Sequence, residues 1–216
     1  MTKHVLIKFG ISLAITVMFC ALSYVLWDRT LLGAIHALPP SWIHLGKCVS
    51  VFGKAEWYWV PGLVFAVAFW FIRRNLKLFY AALSFCLSLA IGGTLSTVVK
   101  FILGRYRPSM LIHDGLYGFT WLGTRMVETS MPSGHCVTVG AAATALWFAY
   151  PPFRPVYVLW VAAMMSARLL AEAHYLSDVA AGTYLGVVAA LIVGPMMRKW
   201  SESSIRDSRI EQVEQG

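Results

Sequence analysis

Long apolar runs, separated by short polar or proline-bearing stretches, dominate the chain. Six of them, at roughly residues 9–27, 57–72, 78–98, 133–150, 156–171 and 174–196, approach the roughly 20 apolar residues that a helix needs to cross a bilayer. The shorter runs cross only with tilt or local bilayer thinning. Strand-like alternation is absent, which argues against a β-barrel. There is no internal repeat and no low-complexity segment. The pattern predicts an all-α, polytopic membrane protein with six transmembrane helices. Residues 1–199 are expected to form that domain, with 200–216 as a polar cytoplasmic tail, either solvated or a frayed helix.

The last two runs need a break between them. Val156 to Met196 is one long apolar zone. As a single helix it would be about 60 Å long, roughly twice the hydrocarbon core. The polar island "RLLAEAHYLSD", Arg168 to Asp178, is the place for a turn, although neither Gly nor Pro marks one. On a continuous helix His174 and Asp178 lie about 40° apart, and Arg168 lies about 120° from His174. A turn between Arg168 and His174 frees Arg168 to reach the same point from the other helix.

Composition agrees with the pattern. The chain of 216 residues is 58% hydrophobic and 13% charged, against about 25% charged in soluble domains. Mean hydropathy is +0.66. The first run follows Lys3 and Lys8. It is longer than a secretory signal core and lacks a small-x-small cleavage site, so it reads as an uncleaved helix. Cys20, Cys48, Cys86 and Cys136 form no CxxC pair; they read as small buried hydrophobes rather than zinc or redox ligands.

The net charge of +8 does not require a nucleic-acid partner, because the positive-inside rule accounts for much of it. Lys3, Lys8, Arg73, Arg74, Lys77, Arg154, Arg198, Lys199, Arg206 and Arg209 fall on one side. That side is expected to be cytoplasmic, with both termini inside. The other side still carries Arg29, Lys47, Lys54, Lys100, Arg105, Arg107, Arg125 and Arg168. This weakens the bias and suggests that some of these cations serve something other than topology. Helix parity brings three polar stretches to that outer face: "KFILGRYRP" after the third run, "PSGH" before the fourth, and the island between the fifth and sixth.

Together these stretches suit a phosphate group. Lys100, Arg107 and Arg168 supply a point charge and two guanidinium forks. "PSGH" opens an apolar helix, whose N-terminal N–H groups favour an anion. Gly134 lets backbone approach and Ser133 adds a hydroxyl. His135 and His174 can transfer protons or attack phosphorus, and Asp178, one turn after His174, can hold its second ring nitrogen. Taken singly, each feature has a plainer reading. Lys100 and Arg105 can snorkel as interfacial anchors, Arg168 can pair with Glu172, "PSGH" can be a helix cap, and His174–Asp178 can be structural or half of a metal site.

As a set, the spacing resembles the membrane-bound type 2 phosphatidic acid phosphatase family, which shares its catalytic core with bacterial acid phosphatases and vanadium haloperoxidases. The family pattern is K-x6-R-P, P-S-G-H and S-R-x5-H-x3-D. Lys100 with Arg107-Pro108, Pro132 to His135, and Arg168 with His174 and Asp178 match it. The chain departs at Ala167, which stands where the family has Ser, with Ser166 one position earlier. The resemblance implies a phosphatase site at the outer membrane face that needs no metal or other cofactor. His174 would be the nucleophile forming a phosphohistidine, Asp178 its orienting partner and His135 the acid and then the base. Lys100, Arg107, Ser133, Gly134 and Arg168 would hold the phosphate. Expected partners are the bilayer and a phosphorylated lipid: undecaprenyl diphosphate, phosphatidylglycerophosphate, phosphatidic acid or lipid A phosphate. The expected location is the cytoplasmic (inner) membrane. Two alternatives are a non-catalytic transporter or binder of phosphorylated lipids and a metal hydrolase using His135, His174 and Asp178.

Four features lie beside this core. Arg105 reads as a headgroup contact or an interface anchor. "GKAEW", Gly53 to Trp57, resembles segments of family members that act on bacterial lipids, and its Lys54 is either an interfacial anchor or a substrate contact. Tyr117, Phe119 and Trp121 in the loop 109–131 suit the membrane interface as a lip over the headgroup. Glu172 has no evident catalytic role.

Overall fold

The computed structural model describes residues 3–72 and 75–214, with side chains through Arg206. Arg73, Arg74 and the Arg209 side chain, used above for topology, lie outside the described residues. In chain order the helices are α1 (Lys3–Leu26), α2 (Asp28–His36), α3 (Pro40–Ser50), α4 (Glu56–Phe71), α5 (Leu76–Leu103), α6 (Pro108–Asp114), α7 (Gly134–Ala149), α8 (Arg154–Leu170) and α9 (Leu176–Glu214). Among the described residues there is no strand, only an isolated bridge between Arg105 and Phe119.

Six helices fall on the six apolar runs. Four regions, in α1, α5, α8 with its preceding turn, and α9, are long and apolar enough to cross a membrane. α4 and α7 have 16 residues each, or about 24 Å, which is shorter than a typical hydrocarbon core. Two further helices, α2 and α3, occupy the link between the first two runs. The apolar pattern did not announce them, because each is short and mixes apolar with polar positions. α9 continues unbroken to Glu214, so residues through 214 that read as a separate tail extend the last helix.

The break between α8 and α9 lies inside the polar island. α8 ends at Leu170 and α9 begins at Leu176. Glu172 adopts φ 52°, the left-handed conformation that usually falls to Gly or Asn. This explains how the chain turns with neither Gly nor Pro. Glu172 Oε1 also lies 2.7 Å from His36 Nδ1, which ties the turn to α2.

α7 runs through the centre of the bundle against α5, α8 and α9. Its Cys136, Val137, Val139, Ala141 and Ala142 are buried. Three of the four cysteines, Cys20, Cys86 and Cys136, are buried as expected, while Cys48 is exposed. Around the rim, Ile7, Ile11, Ile15, Met18 and Val25 of α1 are exposed, as side chains facing lipid must be.

Lipid is as apolar as the side chains, so helix association in a membrane depends on close packing. Small residues provide it between α7 and α9. A Cβ on Gly140 would fall 2.8 Å from the Thr183 carbonyl oxygen, and one on Gly186 would collide with the Val137 carbonyl. This backbone contact fixes the register between the start of α7 and the start of α9. Gly186→Leu is expected to destabilise the protein by about 1–3 kcal/mol, read as a Tm several degrees lower in detergent. An unchanged Tm would contradict this packing account.

Candidate active site

The three polar stretches converge at one end of the bundle. The first of them, Lys100 to Pro108, spans the end of α5. Gly104 closes that helix at φ 57°, and a Cβ there would meet Thr120 Oγ1 at 2.5 Å and Gly123 N at 2.8 Å. Only glycine suits both the conformation and the contact. From this turn the chain carries Arg105 inward and Arg107 toward the loop 126–130.

That loop braces two of the expected phosphate ligands. Lys100 Nζ donates to the Thr129 carbonyl at 2.8 Å, and Arg107 Nε donates to the Met126 carbonyl at 2.9 Å. These bonds aim the side chains while leaving other donors of each cation free. Arg168, on the last turn of α8, lies within electrostatic reach of Arg107 and of both histidines. Its Nε is buried with no hydrogen-bond partner among the described residues, and the same holds for Ser133 Oγ. Buried donors without partners are rare in folded proteins and call for a missing ligand or water. A Cβ on Gly134 would meet no atom within 4 Å, so open space adjoins the first turn of α7.

His174 sits in the turn before α9, 3% exposed. Its Nδ1 lies 3.6 Å from Asp178 Oδ2 and 3.5 Å from Ser130 Oγ. Both are longer than a good hydrogen bond, but both oxygens face the same ring nitrogen. The arrangement suits a proton on Nδ1 and leaves Nε2 as the free nitrogen. Burial lowers the His174 pKa to about 3; Asp178 opposes the fall, while Arg168 and Arg107 add to it. His174 is therefore neutral near pH 7, as a nucleophile or base must be.

Asp178 has more partners than the sequence suggested. Ser130 Oγ donates to its Oδ2 at 2.6 Å, the Tyr175 N–H donates to the same oxygen at 2.9 Å, and Arg105 Nη1 bonds to Oδ1. Arg105 also donates from Nη2 to Asp28 Oδ2 at 2.6 Å and from Nη1 to Ser177 Oγ at 2.6 Å. Asp28 in turn accepts from Ser23 Oγ at 2.7 Å, from the Ser177 N–H at 3.0 Å and from Ser177 Oγ. Arg105, Asp28 and Asp178 are all fully buried. Arg105 is thus neither a headgroup contact nor an interface anchor. Desolvation pulls its pKa down, but Asp178 and Asp28 more than reverse this and hold it above its ordinary value.

The aromatic loop is also re-read. Tyr117 stacks on Tyr24 at 4.7 Å, and Phe119 packs on the same ring at 5.4 Å. Both face the Arg105 guanidinium, with Tyr24 and Tyr175 completing an aromatic box whose centroids lie 4.6–5.8 Å away, within cation–π range. Of the three residues expected at the lip, only Trp121 is exposed. Asp28, Ser130 and Ser177 carried no recognisable signal, because their partners lie up to 149 residues away. The nearest hint was the second arginine in "GRYRP".

The comparisons with known proteins fit this geometry. A family profile described as the PAP2 superfamily matches residues 81–202, more than half of the chain. The chain belongs to the PAP2 superfamily. The matched segment contains all three motifs. Among similar proteins is a lipid A 1-phosphatase of Rhizobium johnstonii, 28% identical over 193 residues, covering 83% of this chain and 77% of the relative. A lipid A 1-phosphatase of Rhizobium etli is 29% identical over 187 residues, covering 81% and 78%. In fold, the chain is similar to Aquifex aeolicus LpxE at TM-score 0.59 and 20% identity, covering 77% of this chain and 93% of that one. It is also similar to the PAP2 type phosphatidylglycerolphosphate phosphatase of Bacillus subtilis at TM-score 0.58 and 15% identity, covering 87% and 94%. The protein is thus a multi-pass membrane phosphatase of PAP2 type.

Two outcomes test the buried part of this PAP2 site. Arg105→Met leaves two buried carboxylates without their cation, so a loss of about 3–5 kcal/mol is expected, and with it a Tm fall of about 10 °C in detergent. A variant as stable as the parent would contradict the network. The second outcome concerns acid. Unfolded His174 takes up a proton below about pH 6.5, whereas the folded residue resists until about pH 3. Its contribution to stability therefore falls as pH drops through that window, by at most about 1.4 kcal/mol per unit. His174→Gln should flatten this part of the stability–pH curve; an unaltered slope would show that His174 is not buried neutral.

Proposed function

We propose that the protein hydrolyses a phosphomonoester or diphosphate of a membrane lipid through a phosphohistidine at His174. The observation that carries this reading is the convergence of Lys100, Arg107 and Arg168 around the shielded His174, with Arg168 Nε and Ser133 Oγ left without partners. A phosphate supplies what these donors lack. Phosphoryl transfer rests mainly on positioning and on stabilising charge at the non-bridging oxygens. The three cations, the Ser133 hydroxyl and the Gly134 N–H do that work here.

In the first step His174 Nε2 attacks phosphorus and the bond to the lipid oxygen breaks. The anionic phosphate offsets the surrounding cations and lets His135 hold a second proton, which it gives to that oxygen as it leaves. Asp178 and Ser130 keep the proton on Nδ1, and the carboxylate offsets the positive charge developing on the ring. In the second step His135 takes a proton from water, whose oxygen attacks phosphorus. The P–N bond breaks, inorganic phosphate leaves, and His174 is restored. No metal enters these steps. Among the described residues, no three His, Cys, Asp or Glu side chains are grouped to hold a metal ion, which disfavours a His135–His174–Asp178 metal centre. A binder or transporter would have no use for a proton donor opposite a nucleophile.

The similarity to two lipid A 1-phosphatases makes the 1-phosphate of lipid A the first substrate to assay. The distribution of Lys and Arg supports an orientation with both termini in the cytoplasm and the site at the outer face of the inner membrane. α4 and α7 would then cross as the second and fourth of six spans. Residues 1–199 act as the catalytic membrane domain, and 200–216 form the cytoplasmic tail, into which α9 runs as far as Glu214.

Phosphate release from lipid A, phosphatidylglycerophosphate, phosphatidic acid and undecaprenyl diphosphate tests the reading directly. His174→Ala should lower kcat by about 10^4-fold or more, and His135→Ala by about 10²–10⁴-fold. Wild-type activity should survive a strong chelator. Substantial turnover by His174→Ala would remove the nucleophile assignment, and no phosphate release by the wild type from any of these lipids would remove the proposed function.

A further inference from the structure

The segment between α3 and α4 lies against the ring of His135. A 3-10 turn covers Val51–Gly53, and Gly53 is buried. A Cβ on Gly53 would fall 2.8 Å from His135 Cδ2 and 2.6 Å from Met164 Sδ, so this backbone touches the His135 ring directly. The turn is held in place: Tyr58 Oη donates to the Phe52 carbonyl at 2.9 Å, and Trp160 Nε1 donates to Tyr58 Oη at 2.9 Å. Those bonds tie it to α4 and α8.

The next residue is Lys54. It is exposed, its backbone is extended, and no carboxylate among the described residues forms an ion pair with it. Lys54 directly follows the residue whose backbone touches the His135 ring, and its charge lies within electrostatic reach of that ring, as do those of Arg168, Arg107 and Lys100. Lys54 is therefore a fourth cation at the site, on a different element from the three that face the phosphoryl group.

Its position relative to His135 gives it a distinct task. Resting on the function proposed above, His135 delivers its proton to the leaving oxygen. A cation on the segment that touches the His135 ring adjoins the side of the site from which the leaving oxygen is protonated. We propose that Lys54 is a specificity residue that binds a second anion of the substrate, next to the leaving oxygen. The matching chemistry is a phosphate one bond beyond the scissile linkage, as in the lipid-proximal phosphate of a diphosphate. Such a leaving group departs as an anion, and Lys54 stabilises the charge it carries away. A monophosphate, whose leaving oxygen takes up the His135 proton and departs as an alcohol, presents no second anion to Lys54.

The test compares matched substrates, farnesyl diphosphate and farnesyl phosphate, with the full-length enzyme in detergent. Lys54→Met is expected to lower kcat/KM on the diphosphate about tenfold more than on the monophosphate, the size of one charge-assisted hydrogen bond. The loss should appear in kcat as well as in KM, because the charge that Lys54 meets grows as the leaving group departs, and Lys54→Arg should restore most of it. Equal losses on both substrates, or none on either, would overturn the assignment. If the wild type releases phosphate from neither farnesyl substrate nor any lipid above, it is the proposed function that fails, not the role of Lys54 within it.

Discussion

Arg105 is the residue on which the active end of the molecule depends. A guanidinium with no exposed surface must be matched by carboxylates, because an unpaired buried charge costs several kcal/mol. Here it is matched by Asp178 at the start of α9 and Asp28 at the start of α2. The pairing joins three elements distant in sequence: the end of α5, the α1–α2 junction and the α8–α9 turn. Aromatic rings surround the cation and exclude water. Ser23, Ser130 and Ser177 take up further bonding capacity of the carboxylates. Such a network strengthens each of its bonds and penalises any missing member.

The network also links structure to chemistry. Asp178 is bound on one oxygen by Arg105 and on the other by Ser130 and the Tyr175 N–H. Both of its oxygens are thus held in place next to His174. The histidine is neutral through burial, and Arg168 and Arg107 lie within electrostatic reach of it. Backbone contact between α7 and α9 then sets the "PSGH" turn against this centre, and the Ser133 N–H bonds directly to the Asp178 carbonyl at 3.0 Å. The proposed reacting groups are therefore placed by helix packing and a buried ion network.

Much of this was legible in the sequence, and the rest was hidden for definite reasons. The apolar runs located the six long helices, since length and hydropathy are local properties. The motif spacing singled out Lys100, Arg107, His135, Arg168, His174 and Asp178 as candidates, and the structure brings their stretches to one end of the bundle, because each sits at a helix end whose side parity fixes. The α8–α9 turn followed from length alone, although its agent, Glu172 at φ 52°, did not. Helices α2 and α3 escaped notice because short helices of mixed polarity lack a strong period. Arg105 was misread as an anchor because a lone arginine beside a membrane span usually is one. Its partners, Asp28 and Asp178, lie 77 and 73 residues away, and no single-sequence pattern links them.

The central claim is that phosphorus is transferred first to His174 and then to water. The stereochemical course of hydrolysis tests it most directly, using a substrate made chiral at phosphorus with oxygen isotopes and sulfur. Two in-line displacements predict overall retention of configuration in the released thiophosphate. Inversion would mean that water attacks the lipid phosphate in a single step, and would contradict the phosphohistidine account.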